Sequence, residues 1–516
     1  MSFVAALRLV ASSVVFLLWF FVGFWITALL FVWDCVLTLL KGTLAFLFSL
    51  GRRHCLVENE FDWKDVVTPD CLEFPDDFVW GTATSSHQVE GGCDNNNWFR
   101  WEMEDHDPPR IKTKAKCGDA CDHWNRVEQD IQLMRNLEVD SYRFSIEWSK
   151  VEPQENKFDP SAIKHYKDQI DSLWAAGIQP MVTLHHFTQP LWFDDRGGWE
   201  QESNVSYFVR YARRMFQELG GKVTFWCTIN EPEVFTFQGW LIGVFPPGKR
   251  LALRAAGEVM KNLLRAHVET YRAIKQEAAT MSLKSPPQVG IVKDIFPFLP
   301  KTAWNVFDQT AAYLADDLFN DAILRFLSSG RFVFSVPFLT RVEWTDAGAP
   351  SCNDFIGLNY YSRYFLSIWH ALTNKGPPED SLLGAPKEVK MDMPYTMHAE
   401  GLYTCLVRLH KQLPGVPIYV TESGASDRND SLRALFIHRH LYALSKAIKD
   451  GVPVQGFYYW SLMDNFEWCE GYSMRFGLYE VDFESAEKTR TLRDGSKHFV
   501  DVVKGFRQLK YRMADK

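Results

Sequence analysis

From Phe74 onward the chain alternates short runs of β-branched and aromatic residues with longer amphipathic stretches, and it does so eight times. The runs are FVWGTAT (78–84), SYRFSI (141–146), QPMVTLHH (179–186), VTFWCTIN (223–230), QVGIVKDI (288–295), DFIGLN (354–359), PIYVTES (417–423) and VQGFYYWS (454–461). Apolar residues on consecutive positions suit strands covered on both faces, as in a parallel sheet wrapped in helices. Stretches such as DHWNRVEQDIQLMRNLE and SAIKHYKDQIDSLWAAG carry a helical period between them, the second closed by a glycine stop. Eight such strand–helix units predict an α/β fold, a (β/α)8 TIM barrel with long insertions, over residues 74–512. A doubly wound sheet is the alternative, but no glycine-rich phosphate loop follows the first run. The stretch 375–390, KGPPEDSLLGAPKEVK, reads as a long surface loop.

The first fifty residues obey a different rule. Their only charged side chains are Arg8, Asp34 and Lys41, and the run from Leu9 to Trp33 has none. That run exceeds the roughly 20 residues a helix needs to cross a bilayer and shows no polar face. A signal peptide has a shorter apolar core and a small-residue cleavage site. The second run, CVLTLLKGTLAFLFSL, is apolar apart from Lys41 and is followed by Arg52 and Arg53. The expectation is a membrane anchor at 1–54, with the bilayer met by residues 9–50, and a linker at 55–73. A helical hairpin turning at Asp34 is the preferred reading, because the single charge of Lys41 can pair or snorkel, and it would put Arg8 and Arg52–Arg53 together on the cytoplasmic side, and the catalytic domain with them. Insertion of the first run alone would leave positive charge on both sides.

Composition narrows the partners. A net charge of −8 argues against nucleic-acid binding by phosphate neutralisation. Ten cysteines in 516 residues make no disulfide scaffold. Cys117 and Cys121 lie close together, without the His or Cys pair of a zinc site, so reduced thiols and no metal or other cofactor are expected. Nineteen tryptophans and eighteen tyrosines supply core, and also flat walls for sugar rings.

Two short words, TINEPE (228–233) and YVTESG (419–424), each end a strand run with a glutamate, Glu231 and Glu422. Other polar residues fall at or near strand ends as well: Gln88, Arg143, His186, Asn230, Asn359 and Tyr361. In a (β/α)8 barrel that end of the strands carries the chemistry. Two carboxyls there can serve as proton donor and nucleophile toward a glycosidic bond. On spacing alone they are equally two separate ion-pair partners.

The surrounding words decide between these. TINEP and VTESG, with FPDDFVWGTATSSHQVEG, YRFSIEWSKVEP, MVTLHHFTQPLW, FIGLNYYS and GFYYWSLMDNFEWCEGYSMRFGLYEVD, occur in the order that resembles glycoside hydrolase family 1, the retaining β-glucosidases. The resemblance implies Glu231 as acid/base and Glu422 as nucleophile, their carboxyl groups about 5–5.5 Å apart. It implies that Asn230 holds the sugar 2-hydroxyl and that Arg143 and Tyr361 flank Glu422, with Asn359 in support. Gln88, His186 and Glu467 would bind hydroxyls, Trp460 would be the stacking floor, and Trp468 would lie beside them. Ser423 replaces the usual Asn after the nucleophile, Phe187 a Trp, and Thr188–Gln189 an Asp-Leu pair. NFEW (465–468) argues against the branch that takes 6-phosphorylated sugars. The implied activity is hydrolysis of β-glucosides or β-galactosides, on a glycoside or a glycolipid. Glycosyl transfer between glycolipids, and a non-catalytic sugar-binding barrel, are the alternatives. Loss of one glutamate marks the non-catalytic class, and both are present.

Overall fold

The computed structural model describes residues 3–57, 61, 63, 72–367 and 389–514. Each of the eight expected runs becomes one strand of a closed parallel barrel: β1 Val79–Ala83, β2 Ser141–Ser145, β3 Gln179–His185, β4 Phe225–Asn230, β5 Gln288–Asp294, β6 Phe355–Asn359, β7 Ile418–Ser423 and β8 Val454–Trp460. Neighbours follow chain order, and β8 closes on β1 with Val79 opposite Gly456 and Ala83 opposite Trp460. The strands are buried almost throughout because helices cover the outer face and side chains fill the inner one.

The helices form where the sequence period demands. Pro160–Ala175 opens with Pro at its first turn and Asp159 accepting from Ser161 and Ala162 amides, and ends before Gly177 at φ +75. Val205–Leu219 buries Phe208, Tyr211, Ala212, Met215, Phe216 and Leu219, a stripe with helical spacing. The helix expected from Asp122 begins only at Val127, behind a short 3-10 turn at His123–Asn125. Between β5 and β6 an inserted antiparallel hairpin, Arg331–Val336 with Thr340–Thr345, packs on the long helix Leu253–Ala278. Of the loop expected at 375–390, all but its last two residues lie outside the described residues.

The N-terminal segment corrects one expectation. A single helix runs from Phe3 to Val57 straight through Asp34, so the hairpin turn is not made. Nothing around Asp34 can reverse the chain: FVWDCVL contains no Gly, Pro or Asn. The helix is long and apolar enough to cross a membrane over Ala11–Gly42. Its exposed surface includes Phe16 and Trp19, 71% and 75% accessible. One stripe, Ala28, Asp34, Cys35 and Thr38, is half-buried and Gly42 is buried, and the helix packs against Val306–Asp316. The Phe31 ring lies 6.0 Å from that of Phe338 at the hairpin tip.

Candidate active site

The carboxyl ends of the strands meet over a cluster of buried polar side chains. Glu231 directly follows β4 and Glu422 is the penultimate residue of β7, 6% and 3% accessible. Both strands slip register as they reach these residues, between Cys227 and Asn230 against β5 and between Val420 and Glu422 against β6. Such irregularities re-aim side chains at barrel rims. Glu231 itself takes φ +45, a left-handed conformation that costs a non-glycine residue energy, and Pro232 starts a short helix behind it.

A continuous hydrogen-bond chain ties the two glutamates into one site. Arg143 Nη1 donates to Glu422 Oε1 at 2.5 Å and Nη2 to Asn230 Oδ1 at 2.6 Å. Asn359 Nδ2 donates to Glu231 Oε1 at 2.6 Å and also reaches Asn230 Oδ1 at 3.2 Å. The hydroxyl of Thr421 fixes Asn359 by donating to its Oδ1 at 2.7 Å. Tyr361 Oη donates to the second oxygen of Glu422 at 2.8 Å. Arg143 sits mid-strand in β2, one layer below the rim, so the interior salt bridge and the flanking of Glu422 are the same contact.

These contacts separate the two carboxyls chemically. Glu422 receives a guanidinium and a phenol. Glu231 receives only the Asn359 amide, and burial together with the charge of Glu422 pushes its carboxyl well above the ordinary range. Two carboxyls held apart in this way can divide acid and nucleophile roles.

The remaining expected residues lie around the same polar cluster. Gln88 Nε2 binds Asn465 Oδ1 at 3.1 Å, the Phe466 carbonyl at 2.9 Å and Glu467 Oε2 at 3.4 Å. His186 stacks near Trp460 and Trp468, with ring centroids 5.8 and 6.1 Å apart. Burial, then the nearby Arg143, hold the His186 ring well below its usual pKa, so it is neutral, and its Nδ1 is buried without a protein partner. Burial, then the charge of Glu422, raise Glu467 to about 8. Phe187 and Trp468 adopt positive φ, +69 and +46, and so two more bulky residues at this rim are held in strained backbone.

Sequence reading missed four residues here: Glu233, Lys293, Asp294 and Asn465. Asp294 ends a strand run as the other site residues do, and that position was the available signal. Among the described residues one group of metal-ligating atoms converges, His87, Cys93 and Glu147. Both His87 nitrogens are already engaged, with Glu102 at 2.7 Å and Asn96 at 3.1 Å. The described cysteines are free thiols.

A parallel eight-stranded barrel with two buried, hydrogen-bond-linked carboxyls and aromatic side chains at its strand ends fits a sugar-cleaving enzyme. The chain belongs to glycosyl hydrolase family 1, whose family model matches residues 71–507, and it is a retaining β-glycosidase. It is 31% identical to beta-glucosidase A of Acetivibrio thermocellus over 453 residues, covering 84% of this chain and 98% of that one. A beta-galactosidase of Pyrococcus woesei is 30% identical, covering 80% and 94%. Among solved structures, a beta-glycosidase from Pyrococcus horikoshii superposes with a TM-score of 0.71 at 36% identity, covering 84% and 96%. The Thermotoga maritima beta-glucosidase in complex with galacto-hydroximolactam gives 0.72 at 29%, covering 84% and 99%.

Proposed function

We propose that Glu422 attacks the anomeric carbon of a β-linked glucoside or galactoside while Glu231 protonates the leaving oxygen. The resulting glycosyl-enzyme is released when Glu231, now a base, activates water. The observation that carries this reading is the unequal setting of the two glutamates, one gripped by Arg143 and Tyr361, the other buried with a raised pKa. Asn230 supports it: both donors on its Oδ1 fix the amide, so its Nδ2, which lies 3.4 Å from His186 Nε2, is the group left to meet a 2-hydroxyl. The orphaned Nδ1 of His186, the carboxyl of Glu467 and the amide of Gln88 are placed to take further hydroxyls, over Trp460 and beside Trp468.

The test is a pair of substitutions on two aryl β-glucosides. Glu422→Gln is expected to lose turnover by on the order of 10⁴-fold or more on both. Glu231→Gln is expected to lose about 10²–10⁴-fold on a poor leaving group and far less on dinitrophenyl. Equal losses of Glu231→Gln on both substrates would remove the acid role.

The N-terminal helix supports a membrane anchor at residues 1–54, with 55–73 joining it to the barrel. With the helix unbroken, Lys41, Arg52 and Arg53 lie on the barrel side of the Leu9–Trp33 run, against Arg8 on the other. We take that excess to favour a catalytic domain on the cytoplasmic face. In and next to the segments that meet the helix, Trp304, Phe307, Tyr313, Phe338 and Leu339 are exposed, Trp304 at 75% and Leu339 at 69%, and we read them as an apolar collar. Aromatic side chains of this kind favour the membrane interface. The collar brings the barrel against the bilayer and favours a substrate carried there, a glycolipid.

A further inference from the structure

The strand that carries the nucleophile is one residue longer than either neighbour at its end. Val420 and Glu422 of β7 pair with Leu358 and Asn359, which are consecutive on β6, while Val420 and Ser423 pair with Phe457 and Tyr459 of β8. Thr421 is therefore the extra residue of a bulge, a device that re-aims side chains. Gly357 of β6 leaves room for it, since a Cβ there would meet the Thr421 hydroxyl oxygen at 2.8 Å. Fully buried, Thr421 reaches both halves of the site. Its carbonyl accepts from Arg143 Nη1 at 3.4 Å, and its hydroxyl donates to Asn359 Oδ1 at 2.7 Å.

The polarity of this chain of bonds is set from its far end. A guanidinium only donates, so Asn230 Oδ1, which takes Arg143 Nη2 at 2.6 Å, is an acceptor. The end of Asn359 that faces it at 3.2 Å is the amide nitrogen, and the same nitrogen donates to Glu231 Oε1 at 2.6 Å. That leaves Asn359 Oδ1 to the Thr421 hydroxyl, the shorter of the two bonds that hold this amide against turning. The charged and titratable groups around Glu231 are Glu422 from β7, Arg143 from β2, Asp294 at the end of β5, Glu233 with its Lys293 partner, and Tyr361, Tyr364 and Tyr395 beyond β6. The neutral His186 stands off behind Asn230, 3.4 Å from its Nδ2. The hydrogen bond to the Glu231 carboxyl comes from Asn359.

We propose that Thr421 is a positioning residue for the acid/base: its hydroxyl decides which end of the Asn359 amide meets Glu231, and thereby how readily that glutamate releases its proton. The inference rests on the assignment of Glu231 above. With its nitrogen toward Glu231, the amide donates to the carboxylate and favours the ionised form. Without the Thr421 hydroxyl, Asn359 Oδ1 is buried with no donor, a costly state that turning the amide relieves. The longer bond to Asn230 is the weaker restraint against that turn. The oxygen then faces Glu231, and only the protonated acid can donate to it. Removing one hydroxyl from the nucleophile's own strand makes the acid hold its proton to higher pH.

The test compares kcat/KM against pH for the full-length wild type, Thr421→Val and Thr421→Ser, on phenyl and 2,4-dinitrophenyl β-glucosides. With phenyl, whose departure needs a proton, the basic limb of the valine variant is expected about one pH unit above that of wild type. Serine keeps the hydroxyl and is expected to return the limb to its wild-type place. With dinitrophenyl, whose departure needs no proton, valine is expected to leave the shape of the profile unchanged. A limb that stays in place with valine, moves down, or is not restored by serine overturns the proposal. Parallel losses on both substrates at every pH overturn it too. Should the valine variant fail to fold, Thr421→Ala carries the same comparison against serine. A wild type with the same basic limb on both substrates would overturn the assignment of Glu231 itself, and this proposal with it.

Discussion

Glu467 shows what a single side chain risks for function. Buried beside Glu422, its carboxyl is raised from 4.5 to about 8. The folded protein therefore holds a proton there that the unfolded chain gives up near 4.5. This contribution to stability is complete below pH 4.5 and is lost as pH rises to about 8. Glu467→Gln should flatten that part of the profile, so that its thermal midpoint exceeds that of wild type at pH 8 and the gap closes toward pH 4.5. The same change should lower kcat/KM on simple glucosides by roughly 10–100-fold, the cost of leaving a buried sugar hydroxyl without its carboxyl partner. A gap that does not vary with pH would mean that Glu467 is not the titrating group. Residues of this kind were legible because they stand in words of fixed order, as Glu467 does in NFEW. Lys293 and Asp294 were not. A Lys-Asp pair at a strand end reads as solvated charge, and only the register shows one turned outward to Phe319 and the other inward.

At the scale of elements, the eight strands were legible because burial on both faces demands unbroken apolar runs, and few other structures do. Where a strand end is bent by a register slip, periodicity is silent, and those slips aim the glutamates. The end of β7 is also pressed onto β8: a Cβ on Gly424 would meet the Trp460 carbonyl at 1.7 Å. That neighbour is backbone and has no side chain to swing away. Gly424→Ala should therefore part the two strand ends, lowering stability by about 1–3 kcal/mol and kcat by about 10²-fold through displacement of Glu422. Ser423→Ala is the contrast. Its hydroxyl is buried without a partner, so removing it should leave denaturant midpoint and turnover close to wild type. If Gly424→Ala behaves like Ser423→Ala, the strand ends are looser than the contact implies.

For the whole molecule the question is how a barrel and a long apolar helix share one chain. The apolar run was legible from its missing charges, and the turn expected at Asp34 was wrong because one acidic residue does not break a helix that lacks Gly or Pro there. What sequence did not reveal is the contact between the two parts. Phe338 touches Phe31, which lies within the uncharged run, so a helix inserted over that run carries the hairpin tip to the depth of Phe31. On the proposed anchoring, the exposed Trp304, Tyr313 and Leu339 beside that contact would meet the bilayer interface, where aromatic rings are favoured. A substrate held in the bilayer should benefit from this contact, and a soluble one should not. Trp304→Ala combined with Leu339→Ala is therefore expected to slow cleavage of a lipid-linked β-glucoside in phosphatidylcholine vesicles several-fold, with the rate on a soluble aryl β-glucoside unchanged. Full-length protein extracted from membranes by alkaline carbonate would refute the anchor itself. Equal slowing on both substrates would leave the anchor standing and refute the collar as a bilayer contact.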